Sequence, residues 1–159
     1  MAVTVDIVRA HTRPRTVMAK LLTMGQREDR ILAMLMGACF VMFAAQWPYR
    51  ARQAHLNGSN LTDLLQTDMF GLIFVLPLLA YGIAALSHVF AKILRGKGDW
   101  FGARLALFWA MLASAPLLVL SGLVKGFIGL GIENTIVGGL WFAVFMWIWI
   151  SSLIEAETT

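Results

Sequence analysis

Cysteine occurs once among the 159 residues, as Cys39. No disulfide can form within the chain, and cysteine usage says nothing about redox compartment. Histidine occurs three times. Only His88 falls near an apolar run, while His11 and His55 lie outside those runs, so a haem held by two histidines within a membrane has no second ligand. Charge is scarce as well, with 14% Asp, Glu, Lys and Arg, and none of it lies in residues 31–49, 69–91, 105–124 or 134–154. A GxxxxGK[ST] phosphate loop is missing, as are the repeated halves and central polar pathway that transport would call for. No basic patch interleaved with aromatics occurs outside the apolar runs, which excludes nucleic acid as a partner. From these absences the sequence predicts no catalytic residue, no cofactor and no metal site, hence a protein that is not an enzyme.

The four charge-free runs are 19, 23, 20 and 21 residues long and are dominated by Leu, Ile, Val, Phe, Met, Ala and Trp. A helix needs roughly 20 apolar residues to cross the ~30 Å hydrocarbon core of a bilayer. With 59% hydrophobic residues and a mean hydropathy of +0.74, the chain is more apolar than a soluble domain. The fold class is therefore all-α: a polytopic integral membrane bundle of four transmembrane helices. The spans fall at about 31–48, 69–94, 104–124 and 134–154, so that a transmembrane domain over residues 31–154 leaves no length for a separate soluble unit.

Residues 1–30 form a basic segment ahead of the spans, without the apolar core of a cleavable signal peptide. Thr12-Arg13-Pro14 reads as a helix start, since Thr caps and Pro suits the first helical position. Val17, Met18, Leu21, Leu22 and Met24 then fall mainly on one face, predicting an amphipathic helix in the membrane interface.

The 13 Lys and Arg are distributed unevenly. If the spans alternate, Arg9, Arg13, Arg15, Lys20, Arg27 and Arg30 share a side with Lys92, Arg95, Lys97 and Arg104, leaving only Arg50, Arg52 and Lys125 opposite. Cytoplasmic loops carry the basic excess, so both termini are expected in the cytoplasm, in a bacterial inner membrane. Arg13, Arg15, Lys20, Arg27, Lys92, Arg95, Lys97 and Arg104 make up a candidate face for anionic lipid headgroups or for other membrane proteins.

The remaining signals concern packing. Gly122 and Gly126 form a GxxxG, and Ala33 with Gly37 and Gly139 with Ala143 are small-xxx-small pairs that let helix backbones approach. Pro77 and Pro116 should bend the second and third spans. Ser87, Ser114 and Ser121 read as interhelical hydrogen-bond formers, and Glu133 with Asn134 as the cap of the fourth span. Between the first two spans, Asn60 is placed to cap a short helix carrying Leu61, Leu64 and Leu65. His88 reads as a structural histidine near the cytoplasmic boundary, and residues 95–102 as a tight turn.

The order of these features resembles the Yip-domain family of membrane proteins, whose eukaryotic members associate with small Rab-type GTPases. Pro14-Arg15 precedes the amphipathic helix; Lys92-Ile-Leu-Arg-Gly-Lys-Gly-Asp-Trp-Phe follows the second span and is similar to the family's "aklfGGkgsf" turn; Ala115-Pro116-Leu117-Leu118 lies within the third span. The resemblance covers residues 8–150. It implies a non-enzymatic organiser of membranes or partner proteins, and it brings no catalytic residue. The family usually has five spans, whereas the 29 residues from 126 to 154 cannot form two. A small accessory subunit of a larger respiratory or photosynthetic membrane complex is the other reading open to such a chain.

Overall fold

The computed structural model describes residues 3–158, and all regular structure among them is helical. Two short helices come first, α1 (Val3–Thr12) and α2 (Pro14–Thr23), followed by the long α3 (Glu28–Asn57). α4 (Leu61–Phe70) runs through a π-turn (Gly71–Val75) into α5 (Leu76–Ile93), and α6 (Trp100–Phe127) and α7 (Ile132–Thr158) complete the chain. Four helices, Glu28–Asn57, Leu61–Ile93, Trp100–Phe127 and Ile132–Thr158, are long and apolar enough to cross a membrane.

These helices are longer than the charge-free runs they contain. The link expected over residues 50–68 is only Gly58, Ser59 and Asn60, because α3 continues through Arg50 to Asn57. Asn60 Oδ1 accepts a hydrogen bond from the Thr62 amide at 2.9 Å, and the helix it starts is no separate element but the first turns of the second span. Arg50 ties the two helices together there, with both Asp68 carboxylate oxygens 2.6 Å from its guanidinium. Pro77 acts on the same span. Its ring crowds the carbonyl of Ile73, four residues back, and the chain loosens into the π-turn just before it.

Near its first residues the chain departs from the expected single interfacial helix. α1 is an additional helix, and Thr12 does not cap α2; Arg13 occupies the N-cap position without a side-chain bond, with Pro14 beginning the helix. Val17, Met18 and Leu21 are buried, and α2 lies against α7 while α1 touches α6. The apolar stripe therefore packs on the protein itself, and Met24, exposed, falls outside it. Met1 and Ala2 of that segment lie outside the described residues.

α6 is the hub. It packs on α3, α5 and α7, and 56% of its most apolar window is buried, against 11% for the second span. It is apolar on all sides, as a helix surrounded by others must be. Gly122 and Gly126 bring it onto α3: a Cβ at Gly122 would collide with the Ala45 carbonyl, and one at Gly126 with Pro48. On α5, Ala80 and Ala84 are buried, and Tyr81 meets Phe108 of α6 edge-on at 5.0 Å.

The other small-residue pairs do not pack within the chain. Ala33 is exposed, and a Cβ on Gly37 would make only an ordinary 3.8 Å contact with Leu112. Gly139 and Ala143 are exposed, with nothing within 4 Å of a Cβ on Gly139. Ser87 and Ser114 bond carbonyls of their own helices, Ala84 and Met111, leaving Ser121 as the serine that reaches across, to Asn134 at 3.5 Å.

Gly122→Leu should force α6 off α3 and lower stability by at least the ~1–3 kcal/mol usual for overpacking. Gly139→Leu should change it little. Thermal unfolding of both variants in the same detergent checks the contrast.

Candidate functional site

The expected basic face divides in two. Lys20 is held by buried Asp6 through bonds of 2.6 and 2.8 Å, and Arg27 pairs with Asp29 at 2.8 Å. Arg104 bonds Glu28 and lies over the Tyr81 ring, 5.9 Å from its centroid. Each of these three cations has an acidic partner within the chain, that of Arg27 at the exposed surface. Arg13, Arg15, Lys92, Arg95 and Lys97 are exposed and make no ion pair among the described residues. All five lie at the end of the bundle where α2, the α5–α6 turn and the last turns of α7 meet.

A clasp between that turn and α7 organises this end. The last turn of α5 closes by the bond pair expected when a helix terminates in a left-handed residue: Arg95 N–H to the Lys92 carbonyl at 3.0 Å, and Gly96 N–H to Ala91 at 2.8 Å. Arg95 is the residue in the left-handed conformation, with φ 67°, where Gly is the usual occupant. For a residue with a Cβ that backbone costs about 1–2 kcal/mol.

The chain then runs over the end of α7. Lys97 N–H donates to the Glu157 carbonyl at 2.8 Å, and Gly98 N–H to Glu157 Oε2 at 3.2 Å. Asp99 caps α6 by accepting from Gly102 N–H at 2.7 Å, and Gln26 donates to its second oxygen. Gly96 and Gly98 are required for the approach: a Cβ on the first would stand 2.5 Å from Glu157 Oε2, and one on the second would collide with the Ala156 carbonyl.

Beneath the turn lies a buried polar pair. His88 Nδ1 is 2.8 Å from Glu157 Oε1, and the two side chains are 1% and 7% exposed. The indole of Trp100 covers the imidazole with a centroid separation of 4.4 Å. Both Glu157 oxygens thus have a partner, as a buried carboxylate requires. Two such groups fall short of a metal site, which takes three or four ligands, and no cluster of three His, Cys, Asp or Glu able to hold a metal occurs among the described residues.

The sequence places His88, the glycine turn and the C-terminus at this end, but offers no sign that Glu157 pairs with His88. The one available signal was that span alternation puts the histidine of the second apolar run at the same end as the acidic C-terminal residues. Glu133, at the opposite end, is exposed in the first turn of α7.

Alongside the clasp a cavity of about 580 Å³ opens between α5 and α7. Leu86, Phe90 and Leu94 form one wall and Trp149, Leu153 and Ile154 the other, with Arg95 and Gly96 at the mouth. A second, smaller depression of about 430 Å³ lies across Ile150 and Ile154 and is bordered by Arg13 and Arg15.

Comparison with protein-family models, with curated proteins and with solved structures finds no match for the chain.

Glu157→Ala should leave His88 and the Gly98 N–H without their acceptor, at a cost of about 1–3 kcal/mol. Hydrogen exchange should then speed up at Lys97 and Gly98 while α3 stays protected; unchanged exchange in the turn would refute the clasp.

Proposed function

We propose that the chain is a non-enzymatic, Yip-like integral membrane protein that organises membrane or partner proteins through the basic end of its bundle. The observation that carries this reading is the set of five exposed cations, Arg13, Arg15, Lys92, Arg95 and Lys97, gathered at one end with no ion pair among the described residues. Cations kept free beside a membrane surface attract anionic headgroups, at ~1 kcal/mol for each near the surface. The buried polar pair supports the same reading, since its hydrogen bonds are spent on holding a turn. By the positive-inside rule this end faces the cytoplasm of a bacterial inner membrane.

A second reading has its own observation. Gly139 and Ala143 leave a bare stripe on α7, where a Cβ on Gly139 would meet nothing within 4 Å. Small residues of this kind admit a neighbouring helix closely, as in a subunit of a larger membrane complex.

Neutralising Arg13, Arg15, Lys92 and Lys97 together should reduce the anionic lipid and partner proteins that co-purify in mild detergent, read by mass spectrometry. An unchanged complement would refute the basic-end reading. Gly139→Leu releasing a partner that the neutralised protein retains would favour the subunit reading.

Orientation is tested separately, because native Cys39 is buried and gives a silent background. Ser59→Cys should react with an impermeant maleimide in intact cells, whereas Lys97→Cys should react only after the membrane is opened.

A further inference from the structure

We infer that the cavity between α5 and α7 is a binding site for one anionic phospholipid, with an acyl chain between the helices and the phosphate at Arg95. The inference rests on the membrane-embedded, basic-end reading above and assigns that end a specific ligand site. It differs from general attraction of lipid to positive charge, because it requires the apolar walls as well as the cation.

Shape is the first support. The groove runs along α5 from Ile83 to the helix end at Ile93, and along α7 from Trp149 to Thr158. At 1.5 Å per residue those stretches are each about 15 Å long, half of the ~30 Å hydrocarbon thickness and so the depth of one leaflet. Its volume of about 580 Å³ lies within the 300–1,000 Å³ typical of small-molecule sites. The walls are Leu, Ile, Phe and Trp side chains, with Ala91 keeping the floor open.

Charge is the second. The charged groups are confined to the mouth, at the end of the bundle where headgroups would lie, and the one hydroxyl deeper along α5, Ser87, is bonded to the Ala84 carbonyl. Arg95 lines the mouth, and Lys92 and Lys97 are exposed on either side in sequence. Glu157 is the one acidic residue of the lining, and its two oxygens are turned to His88 and to the Gly98 amide. The mouth therefore presents a guanidinium, which binds phosphate through paired N–H donors.

Backbone conformation is the third. Arg95 holds a left-handed φ of 67° that glycine would adopt at lower cost. Strain of this kind clusters at ligand-binding positions. Nothing within the protein uses the Arg95 side chain: it forms no hydrogen bond or ion pair among the described residues.

Arg95→Gly separates ligand binding from folding, because it relaxes the backbone while removing the cation. The full chain, purified in mild detergent, is supplied with phosphatidylglycerol or phosphatidylcholine and examined by native mass spectrometry. Wild type should retain one phosphatidylglycerol, about tenfold in preference to phosphatidylcholine, the ratio expected for one charge-assisted contact. Arg95→Gly should lose that preference without a lower melting temperature. Ala91→Trp, which fills the floor, should lose retention of both lipids, and millimolar inorganic phosphate should displace neither.

Equal retention of the two lipids by wild type, an undiminished preference in Arg95→Gly, full retention in Ala91→Trp, or a second copy of the chain in place of lipid would each overturn the site. The variant lacking charge at Arg13, Arg15, Lys92 and Lys97 keeps Arg95 and the groove. Its failure to lose partners would count against the broader reading and leave the lipid result standing.

Discussion

Hydrocarbon gives apolar helices no reason to leave it, so this bundle depends on the places where backbones can touch. Lipid tails solvate leucine as well as another leucine does, and association must come from close packing and interhelical hydrogen bonds. The chain provides the first chiefly where α6 meets α3. At Gly122 the helix surface lies against the Ala45 carbonyl, and one turn later Gly126 lies against Pro48. α6 thereby becomes the helix on which the others are assembled, with Phe108 and Trp109 fully enclosed and α5 packed on it through Ala80 and Ala84. The second span, which touches α3 and α6 along one side, is left with most of its surface facing lipid.

Polar groups follow from that arrangement. With α3, α6 and α7 held together, the end containing α2 and the α5–α6 turn collects charge that the apolar runs exclude. Part is consumed locally, by Asp6 on Lys20, Asp29 on Arg27 and Glu28 on Arg104. What remains is positive, exposed and adjacent to the apolar groove between α5 and α7. Exposed pairs contribute little to stability, whereas cations without an acidic partner can act on what lies outside.

The architecture was largely legible because it depends on one-dimensional quantities: run length for the four spans, the Asn60 cap, the proline that begins α2 and the proline beside the π-turn. The GxxxG on α6 was equally visible, yet the similar Ala33/Gly37 and Gly139/Ala143 pairs do not pack. Small-residue spacing reports that a helix could be approached closely, and only the positions of other helices decide whether it is. The site was less legible for the same reason. Lys20 and Asp6 are 14 residues apart, Arg104 and Glu28 76 apart, and His88 and Glu157 69 apart. Such partners are set by helix rotation and tilt, which composition leaves open. The stripe on α2 was readable as amphipathic, but the pattern is the same whether its apolar side meets lipid or α7.

The turn from Arg95 to Asp99 also answers a difficulty in α7 itself. A helix C-terminus leaves its last carbonyls unpaired and carries partial negative charge, which basic residues in the final turn ordinarily offset. α7 has none there, and Glu155 and Glu157 add further negative charge. The compensation comes from elsewhere in the chain: the Lys97 amide takes the Glu157 carbonyl, and the Gly98 amide and His88 take its carboxylate. A turn that caps a neighbouring helix must lie flat against it, which accounts for glycine at 96 and 98. Arginine at 95 has no such account, since it caps nothing and occupies a backbone conformation that glycine would hold more easily. The α5–α6 turn thus divides residue by residue, with its amides and glycines serving α7 and its arginine facing the groove.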